Sequence, residues 1–595
     1  MHSSTEQKVT LLRKWMSDQQ LDAIIIPHED EYLGEYIPAH NERLHWLTGF
    51  TGSAGAAVVT QDRAAIFVDG RYTVQVKDQV PSPLFEYCHL ITEPPIDWII
   101  NNLSIGAKVG IDPSMHSGAW YKGAQKALGD SYPFALLDAN PIDVLWSDRP
   151  TPQHSQVRLM TVEQVGVSSH SKRDELATVI KKNGADAAVI TALDSICWLL
   201  NVRGLDVSRL PVILSHVVLN NDGSAIWFVE PSRVPDNFEQ HIGSNVTIAN
   251  PAALPEHLKS LSGKTVQIDS ATANAWFTLT LKDAGAHVLN LADPCLMPKA
   301  CKNDVERQGM IDCHIRDGVA MAKFLSWLDS NVAKGLLYNE AQLSDQLEAF
   351  RREDPTLVDL SFDTISAAGS SAAMCHYNHL NQEVPGQLSM NSLYLVDSGG
   401  QYINGTTDIT RTVAIGQPSD EMKKQFTLAL KGHIGIARAR FPNGTCGYQI
   451  DSFARQHLWA QGYDFDHGTG HGVGHFLSVH EGPQSISKRQ INVALEQGMV
   501  LSNEPGYYRE GAFGIRIENL ELVIQEETNG DFPVLTFQPL TRCPIDQRNI
   551  VVDMLNDEEL TWLNDYHLKV WNDLSSLVSE DVKVWLQQAT QPLVR

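Results

Sequence analysis

The sequence has no closely spaced pair of cysteines and no long apolar run, and these absences exclude several classes of protein. Its eight cysteines are scattered over 595 residues without a Cys-x-x-Cys motif, so neither a disulfide framework nor a zinc–cysteine cluster is expected. Reduced thiols are typical of a reducing compartment. Residues 1–16 lack the apolar core of a secretory signal, and no segment is apolar enough to span a bilayer. We therefore expect a cytoplasmic protein with no membrane partner.

Basic residues are also scarce. The sequence contains 46 Lys and Arg against 71 Asp and Glu, which gives a formal net charge of -25. A surface of this charge repels phosphate backbones, so we expect no nucleic-acid partner. The chain is too long for one hydrophobic core, which predicts two to four domains.

Two segments of the first half share one order of predicted elements. In the first, an amphipathic helix over residues 6–17 precedes the apolar strand "DAIIIP", and a Trp-Leu pair then precedes a glycine in "LHWLTG". Residues 172–204 repeat this order with "DAAVI" and "ICWLLNVRG". We predict two related α/β domains, residues 1–158 and 159–299, with "LHWLTG" as a strand of the first. The glycine-rich run that follows "LHW" lacks the ending of a phosphate-binding loop, so a tight strand connection is expected there.

The pattern changes near residue 300. Four amphipathic helices are predicted, and the first and longest covers 304–332. The strand-like runs between and after them predict helices gathered on a largely antiparallel sheet. Residues 300–595 therefore form a predicted α+β domain, in which Asn556 and Glu559 complete a capping box at the start of a C-terminal helix. The fold class is α/β plus α+β.

Four carboxylates and one histidine of this domain interrupt or follow apolar runs, where an unpartnered charge is costly to bury. An Asn-Gly hairpin signal at 404–405 lies between Asp397 and Asp408, and such a hairpin would bring these two carboxylates near one another. Oxygen-rich ligation favours a hard divalent metal such as Mn, Mg or Ca. The alternative is that the hairpin is exposed and that its two aspartates are solvated. The candidate ligands are Asp397, Asp408, His471, Glu504 and Glu518.

The remaining candidate residues allow two interpretations each. His467 and His471 are four residues apart, but the glycines around them favour a loop or distorted strand over a zinc-binding helix. His376 and His480 are isolated histidines, either structural or catalytic. Arg516 precedes Glu518 by two residues, so strand alternation places both on one face, as a surface pair or as support for a carboxylate.

Together the segments "VDSGGQYINGTTDITRT", "HGTGHGVG", "VHEGP", "SNEPGYY" and "GIRIEN" resemble the signature of the pita-bread metallopeptidases, in their long three-domain aminopeptidase P form. The resemblance covers the whole chain and implies two creatinase N-terminal-like domains before a pita-bread catalytic domain with a C-terminal extension. Ser371 departs from the pattern, because relatives commonly have asparagine there. This departure concerns the substrate side of the site.

The resemblance implies two divalent ions, usually Mn²⁺, and peptides with proline at the second position as substrates. Asp408 and Glu518 would bridge the ions, Asp397 would complete one, and His471 with Glu504 would complete the other. The ions would acidify a water that attacks the first peptide bond, with Glu504 as proton shuttle. His376 and His480 would bind the substrate and the developing oxyanion, and His467 would line the proline pocket. A homodimer is also implied.

Four alternatives stay open. Prolidase uses the same ligand set on Xaa-Pro dipeptides, although the tandem leading domains favour aminopeptidase P. Relatives of methionine aminopeptidase lack the two leading domains, and creatinase lacks the complete ligand set. A non-catalytic pita-bread binding module would have lost its ligands, whereas all five positions are intact here.

Overall fold

The structure is a computed structural model that describes residues 4–595. The chain forms two compact units. The first consists of the residues up to Thr161 together with Val167–Leu296, and the second of Val162–Gly166 together with Met297–Arg595. Among residues 4–595, no helix has both the length and the apolar character needed to cross a membrane. The boundaries predicted at 158 and 299 stay predictions.

The first unit contains two six-stranded sheets with the same topology. The first sheet has the order β4-β3-β2-β1-β5-β6 and the second β12-β11-β10-β8-β13-β14. In each, the central strand pairs antiparallel with the next long strand and parallel with the other neighbour. The repeat predicted from "DAIIIP" and "DAAVI" is therefore a repeat of strand order. The strands are β1 Ala23–Pro27, β2 Ala56–Thr60, β3 Ala64–Val68, β4 Glu86–His89, β5 Val109–Ile111, β6 Phe134–Leu136, β8 Ala187–Ile190, β10 His216–Asn220, β11 Ala225–Phe228, β12 Val246–Ala249, β13 Thr265–Ile268 and β14 His287–Asn290, with the short pair β7 Arg158–Leu159 and β9 Val202–Arg203.

The Trp-Leu pairs lie on helices, so the strand predicted at "LHWLTG" is wrong. Helix α2 covers Arg43–Thr48 and ends at Gly49, whose φ is +85°. Its counterpart ends at Asn201, which is also left-handed with a φ of 52°. The periodicity of a short, largely buried apolar run does not distinguish a strand from a helix. The helices of this unit are α1 Thr5–Asp18, α2, α3 Gln75–Gln79, α4 Pro95–Asn102, α5 Gly118–Leu128, α6 Pro141–Leu145, α8 Ser169–Lys182, α9 Leu193–Leu200, α10 Phe238–Ile242, α11 Leu254–Ser260 and α12 Ala275–Asp283.

The second unit has the predicted long helices. Helix α14 covers Asp304–Ala333, and a capping box between Asn303 and Glu306 fixes its start. The box predicted between Asn556 and Glu559 opens α18. Leu563 is fully buried on that helix. The helices are α7 Val162–Val165, α13 Leu296–Ala300, α14, α15 Glu340–Arg351, α16 Asp420–Ala437, α17 Gly447–Trp459, α18 Asp557–Leu574 and α19 Glu580–Ala589.

The sheets of the second unit are antiparallel, as predicted. The largest has the order β21-β28-β27-β24-β22-β23. A hairpin joins β18 to β19, as predicted, but Tyr402 pairs with Gly405, so its two turn residues are 403 and 404, one position before the predicted Asn-Gly turn. The strands are β15 Leu357–Leu360, β16 Ile365–Ala368, β17 Ser392–Ser398, β18 Gly400–Tyr402, β19 Gly405–Thr406, β20 Ile409–Ile415, β21 Arg440–Phe441, β22 Gly470–Gly472, β23 Glu481–Ile486, β24 Val500–Asn503, β25 Gly506–Arg509, β26 Phe513–Arg516, β27 Asn519–Glu526 and β28 Val534–Pro539.

Candidate metal centre

The five candidate ligands lie at or near strand ends of the second unit. Asp397 is on β17 and His471 is on β22, while Glu504 directly follows β24. Asp408 lies just before β20 rather than on it. Glu518 lies in the gap between β26 and β27, so the strand alternation predicted for Arg516 and Glu518 is interrupted. Carboxylates at strand ends can turn toward one point without breaking a ladder of backbone hydrogen bonds.

Three of the five ligands meet directly. One donor atom from each of Asp408, His471 and Glu518 lies within 4.8 Å of the other two. His471 Nε2 is 3.4 Å from Asp408 Oδ2 and 3.8 Å from Glu504 Oε1, which adds a fourth residue. Asp397 reaches the group through Arg516, which contacts both Asp397 and Glu504.

Local pairing explains why Asp397 and Glu518 lie together. Strands β17 and β20 place Asp397 opposite Thr410. The backbone N–H of Glu518 donates to the Thr410 carbonyl at 3.1 Å. The Thr410 hydroxyl donates to Glu518 Oε2 at 2.7 Å. One threonine on β20 therefore aligns the backbone and the carboxylate of Glu518 next to Asp397.

Arg516 is the buried cation of the site. Its Nη2 donates to Asp397 Oδ2 at 2.6 Å, its Nη1 to the Tyr508 hydroxyl at 2.8 Å and its Nε to the Thr410 hydroxyl at 3.1 Å. The sequence suggested Glu518 as the supported carboxylate, whereas the structure gives this place to Asp397. A guanidinium with three fixed partners orients the carboxylate as well as neutralising it.

The glycines around His471 are required by close backbone approach. A Cβ on Gly470 would lie 2.0 Å from the Ser502 carbonyl oxygen, and a Cβ on Gly472 would lie 2.5 Å from the Glu481 carbonyl oxygen. The His471 ring hydrogen-bonds the Gly472 carbonyl through Nδ1 at 2.9 Å. Donation from Nδ1 leaves Nε2 available to a metal ion, and Nε2 faces Asp408 and Glu504.

Two of the other three predicted histidines, His480 and His467, lie next to candidate ligands. The ring of His480 packs edge-on against the His471 ring, with centroids 4.4 Å apart. His467 Nε2 accepts from the Tyr508 hydroxyl at 2.8 Å, and its Nδ1 lies 4.0 Å from Glu504 Oε2. His376 is half-buried in the loop that follows β16.

The buried carboxylate of Glu340 fixes the loop that carries His376. It accepts from the Tyr377 hydroxyl at 2.6 Å, from the Ala368 N–H at 2.8 Å and from the Gly386 N–H at 2.6 Å. These contacts span both ends of the loop and the residue next to His376. Ser371 also hydrogen-bonds the Tyr377 side chain. Ser371, the residue that departs from the family pattern, therefore takes part in the contacts that hold this loop.

Burial and mutual repulsion oppose ionisation of the carboxylates. Burial is the main cause that raises the pKa of Glu504 to about 7 and that of Asp397 to about 6. Burial and the charges of Asp408, Glu504 and Asp397 hold the pKa of Glu518 well above its ordinary value. For His471, burial lowers the pKa, but the Asp408 hydrogen bond and the Glu504 charge outweigh it and raise the pKa to about 9.

These residues fit a pair of divalent cations. Asp397 Oδ1 is buried, and none of the residues that the structure describes forms a hydrogen bond with it. The other oxygen of that carboxylate accepts from Arg516. Oxygen ligands with one imidazole suit a hard divalent ion. Two adjacent cations would remove the repulsion that raises the pKa of Glu518.

Metal removal makes the stability of the protein depend on pH. In the metal-free protein the pKa values of Asp397 and Glu504 are raised to about 6 and about 7, so the native state binds more protons than the unfolded state from about pH 4 to 7. The free energy of unfolding therefore falls over that range. The stabilisation from His471 is complete below about pH 6.5 and is lost as pH rises through about 9. We expect the rise in Tm that Mn²⁺ produces to grow between about pH 5 and 9 and to be largest at the alkaline end.

Calorimetry with and without Mn²⁺ across this range measures the effect. A Glu504→Gln variant is the control, since it lacks one of the raised carboxyl pKa values and its metal-free Tm should depend less on pH between about 5 and 7. A metal-induced rise in Tm that is the same at every pH would contradict the prediction.

Sequence reasoning missed Thr410 and Tyr508. Thr410 is two residues after Asp408, and Tyr508 ends the "EPGYY" run that was used only for Glu504. Both are polar residues among strand residues next to a ligand, which is the signal that could have found them. Their contacts with Arg516 depend on pairing between strands that are distant in the chain.

Models of four protein families match successive parts of this chain. The model of metallopeptidase family M24 matches residues 308–525, and a model of its C-terminal region matches 533–593. Two models of the creatinase/prolidase N-terminal domain match 8–144 and 148–306. The predicted fold, two creatinase N-terminal-like domains before a pita-bread domain, is confirmed.

The similar proteins match over nearly their whole length. A probable Xaa-Pro aminopeptidase P of Laccaria bicolor is 38% identical over 99% of this chain and 94% of its own. Aminopeptidase P2 of Arabidopsis thaliana is 37% identical over 99% of this chain and 89% of its own. The crystal structure of X-prolyl aminopeptidase from Caenorhabditis elegans, described as a cytosolic enzyme with a di-nuclear active site, covers 100% of both chains at 33% identity with a TM-score of 0.95.

Proposed function

Because this chain belongs to metallopeptidase family M24, with the Xaa-Pro aminopeptidases P as its full-length relatives, we propose that it removes the N-terminal residue from peptides with proline at the second position. It is an Xaa-Pro aminopeptidase, a metalloexopeptidase that hydrolyses the bond between the first residue and proline. The observation that carries this function is the full-length match to a di-nuclear X-prolyl aminopeptidase, together with the cluster of Asp408, His471 and Glu518 in this chain.

The site would hold two divalent ions, for which we propose Mn²⁺. Asp408 and Glu518 are assigned to both ions, Asp397 to one, and His471 with Glu504 to the other. Their carboxylate oxygens and single imidazole match the preference of Mn²⁺ over thiolate-seeking metals. When bound, the ions supply Lewis-acid polarisation of the scissile carbonyl and of a water molecule.

Glu504 is proposed to transfer a proton from the attacking water to the leaving prolyl nitrogen. Its carboxylate lies 3.8 Å from His471 Nε2 and 4.0 Å from Arg516 Nε, inside the cluster of candidate ligands, where it can accept and return a proton. It takes a proton from the attacking water as the new C–O bond forms. It returns that proton to the prolyl nitrogen as the C–N bond breaks, so that the free residue and the shortened peptide leave.

His480 and His376 are proposed to bind the substrate. His480 packs against the ligand His471, so it lies beside the reacting carbonyl and can donate to the developing oxyanion. His376 lies on the loop anchored by Glu340, where it can bind the peptide. A donor aimed at the developing oxyanion stabilises the transition state more than the ground state, so the His480 contact acts mainly on kcat.

Selection of proline is proposed to involve His467. A prolyl nitrogen in a peptide bond carries no hydrogen, so the site selects a ring shape rather than an N–H donor. His467 is held by the Tyr508 hydroxyl, and Tyr508 in turn accepts from Arg516. His467, on one side of the proposed proline pocket, is thereby linked through Tyr508 to Arg516, which orients Asp397.

Three peptides test the function. Metal-stripped protein is assayed with and without Mn²⁺ on an Xaa-Pro-Xaa tripeptide, an Xaa-Pro dipeptide and a Met-Ala-Xaa tripeptide. We expect Mn²⁺-dependent release of the first residue from the Xaa-Pro tripeptide only. Mg²⁺ and Zn²⁺ at equal concentration serve as matched metals. Cleavage mainly of the dipeptide would replace this function with that of a prolidase, and stoichiometric metal without cleavage of any peptide would refute the specificity.

We also propose that the protein works in the cytosol as a homodimer and without a nucleic-acid or membrane partner. The C. elegans enzyme is described as cytosolic, and the net charge of -25 disfavours nucleic acid. The alternative of a binding module predicts no bound metal. Metal analysis of purified protein separates it from the enzyme, and light scattering measures the oligomeric state.

A further inference from the structure

Two buried lysines near the start of the second unit, Lys299 and Lys302, form an ion triad with Glu481. Glu481 is flanked by two lysines, and none of the three side chains is more than 1% exposed. Lys299 Nζ lies 3.1 Å from Glu481 Oε2, and Lys302 Nζ donates to Glu481 Oε1. The two lysines belong to the segment between residues 292 and 304, which in the sequence marks only a domain boundary.

Stability alone does not account for this triad. Taking a charged group out of water costs several kcal/mol, and apolar side chains of the same volume are often at least as stabilising as a buried ion pair. The triad contains two positive charges and one negative charge in a fully buried place. What a buried ion pair provides beyond an apolar contact is one defined geometry, so the position of Glu481 is the quantity to explain.

The segment that carries the lysines is itself fixed. The Lys302 N–H donates to the Gly498 carbonyl at 3.0 Å. Gly498 has a φ of +90°, and a Cβ there would lie 2.6 Å from the Lys302 carbonyl oxygen. The backbone therefore holds the Lys302 side chain in place from outside the strand that contains Glu481.

Glu481 lies at the point where the two active-site histidines meet. Strands β22 and β23 pair Gly472 with Glu481, and the residues preceding these two are His471 and His480. The histidine rings lie edge-on with centroids 4.4 Å apart. The pairing shifts register between His471 and Gly472, so the regular ladder does not itself fix Glu481. A second anchor is needed there, and the lysines supply it.

We propose that Lys299 and Lys302 are positioning residues that hold Glu481, and through it His480, against the ligand His471. This inference rests on the proposed function, since it concerns how His480 is aimed at the substrate carbonyl. His471 has separate supports, because its N–H donates to the Ser502 hydroxyl at 3.0 Å and its ring bonds the Gly472 carbonyl. Loss of a lysine should therefore displace His480 without removing the metal.

The test is Lys302→Met, which leaves one lysine opposite Glu481 and fills the same volume. We expect kcat on the Xaa-Pro tripeptide to fall at least about tenfold, KM to stay within about twofold, and Mn²⁺ content to stay unchanged. Lys299→Met is the second variant, in case the first does not fold. The matched control is Lys431→Met, which breaks a partly buried Lys–Glu pair, with Glu559, between α16 and α18. It should leave kcat unchanged.

A double variant separates positioning from a general structural effect. If the lysine acts through His480, Lys302→Met should have no further effect on kcat in a His480→Ala background. An equal loss in both backgrounds would overturn the inference, as would a change in KM alone. A crystal structure of Lys302→Met gives a readout that is independent of activity, and we expect the His480 ring to leave its 4.4 Å contact with His471.

The two proposals fail in different ways. Wild-type protein that binds Mn²⁺ but cleaves no Xaa-Pro peptide would refute the function. The crystal structure of Lys302→Met would then still decide the inference, because an unmoved His480 ring overturns it and a displaced ring supports it.

Discussion

Asp408→Asn is expected to abolish peptide hydrolysis, with kcat/KM reduced at least about a thousandfold. Asp408 is 4% exposed, and its Oδ2 lies 3.4 Å from His471 Nε2. As the carboxylate assigned to both ions, it offers an anionic oxygen to each, whereas an amide offers one neutral oxygen. The change is nearly isosteric, so the loss would come from charge and not from packing. Steady-state kinetics and metal analysis of the same preparation measure it.

The control for Asp408→Asn is Asp557→Asn. Asp557 forms an exposed ion pair with Arg595 at 2.7 Å, so this variant loses an aspartate charge outside the metal centre. We expect its activity to equal that of wild type and its Tm to change little, since partly exposed ion pairs contribute about 0–1 kcal/mol. Wild-type turnover by Asp408→Asn would rule out the two-ion assignment.

Arg516→Met should reduce kcat/KM about a hundredfold and weaken Mn²⁺ binding about 10–100-fold. Two effects oppose each other in this variant. Removal of a buried cation next to Asp397 and Glu504 makes the empty site more attractive to metal ions. Removal of the guanidinium also leaves Asp397, Thr410 and Tyr508 without the donor that aligns them. We expect the loss of alignment to be larger, because ligands must converge to bind a divalent ion.

Calorimetric titration of Mn²⁺ into metal-stripped Arg516→Met distinguishes the two effects. Tighter binding than in wild type would show that charge dominates and would contradict the prediction. Arg516→Lys keeps the charge but not the three fixed donors, so it should recover only part of the activity. Arg351→Lys is the matched control, since Arg351 forms a fully buried pair with Asp317 on α14. It should reduce Tm without weakening Mn²⁺ binding.

Local sequence signals were sufficient for several elements. The capping box at Asn556, the helix that it opens, and the presence of a hairpin near residues 404–405 all depend on residues within a few positions of one another. The identity and order of the five candidate ligands could also be read directly, because a carboxylate beside an apolar run needs a buried partner. The repeat of the two leading domains was visible as a repeat of apolar strands.

The partners of these residues were decided by the tertiary structure. Arg516 reaches Asp397 across 119 positions, and Lys302 reaches Glu481 across 179. Periodicity reports only which face of an element is apolar, so it assigned Arg516 to its neighbour Glu518 and left Lys302 in a boundary segment. The Trp-Leu runs became helices for the same reason, since runs this short and this largely buried carry no clear periodic signal. By itself, then, the sequence determined which candidate metal ligands the site contains. Only the pairing of distant strands determined how those groups are aimed, because it places side chains within hydrogen-bond distance that no local pattern connects.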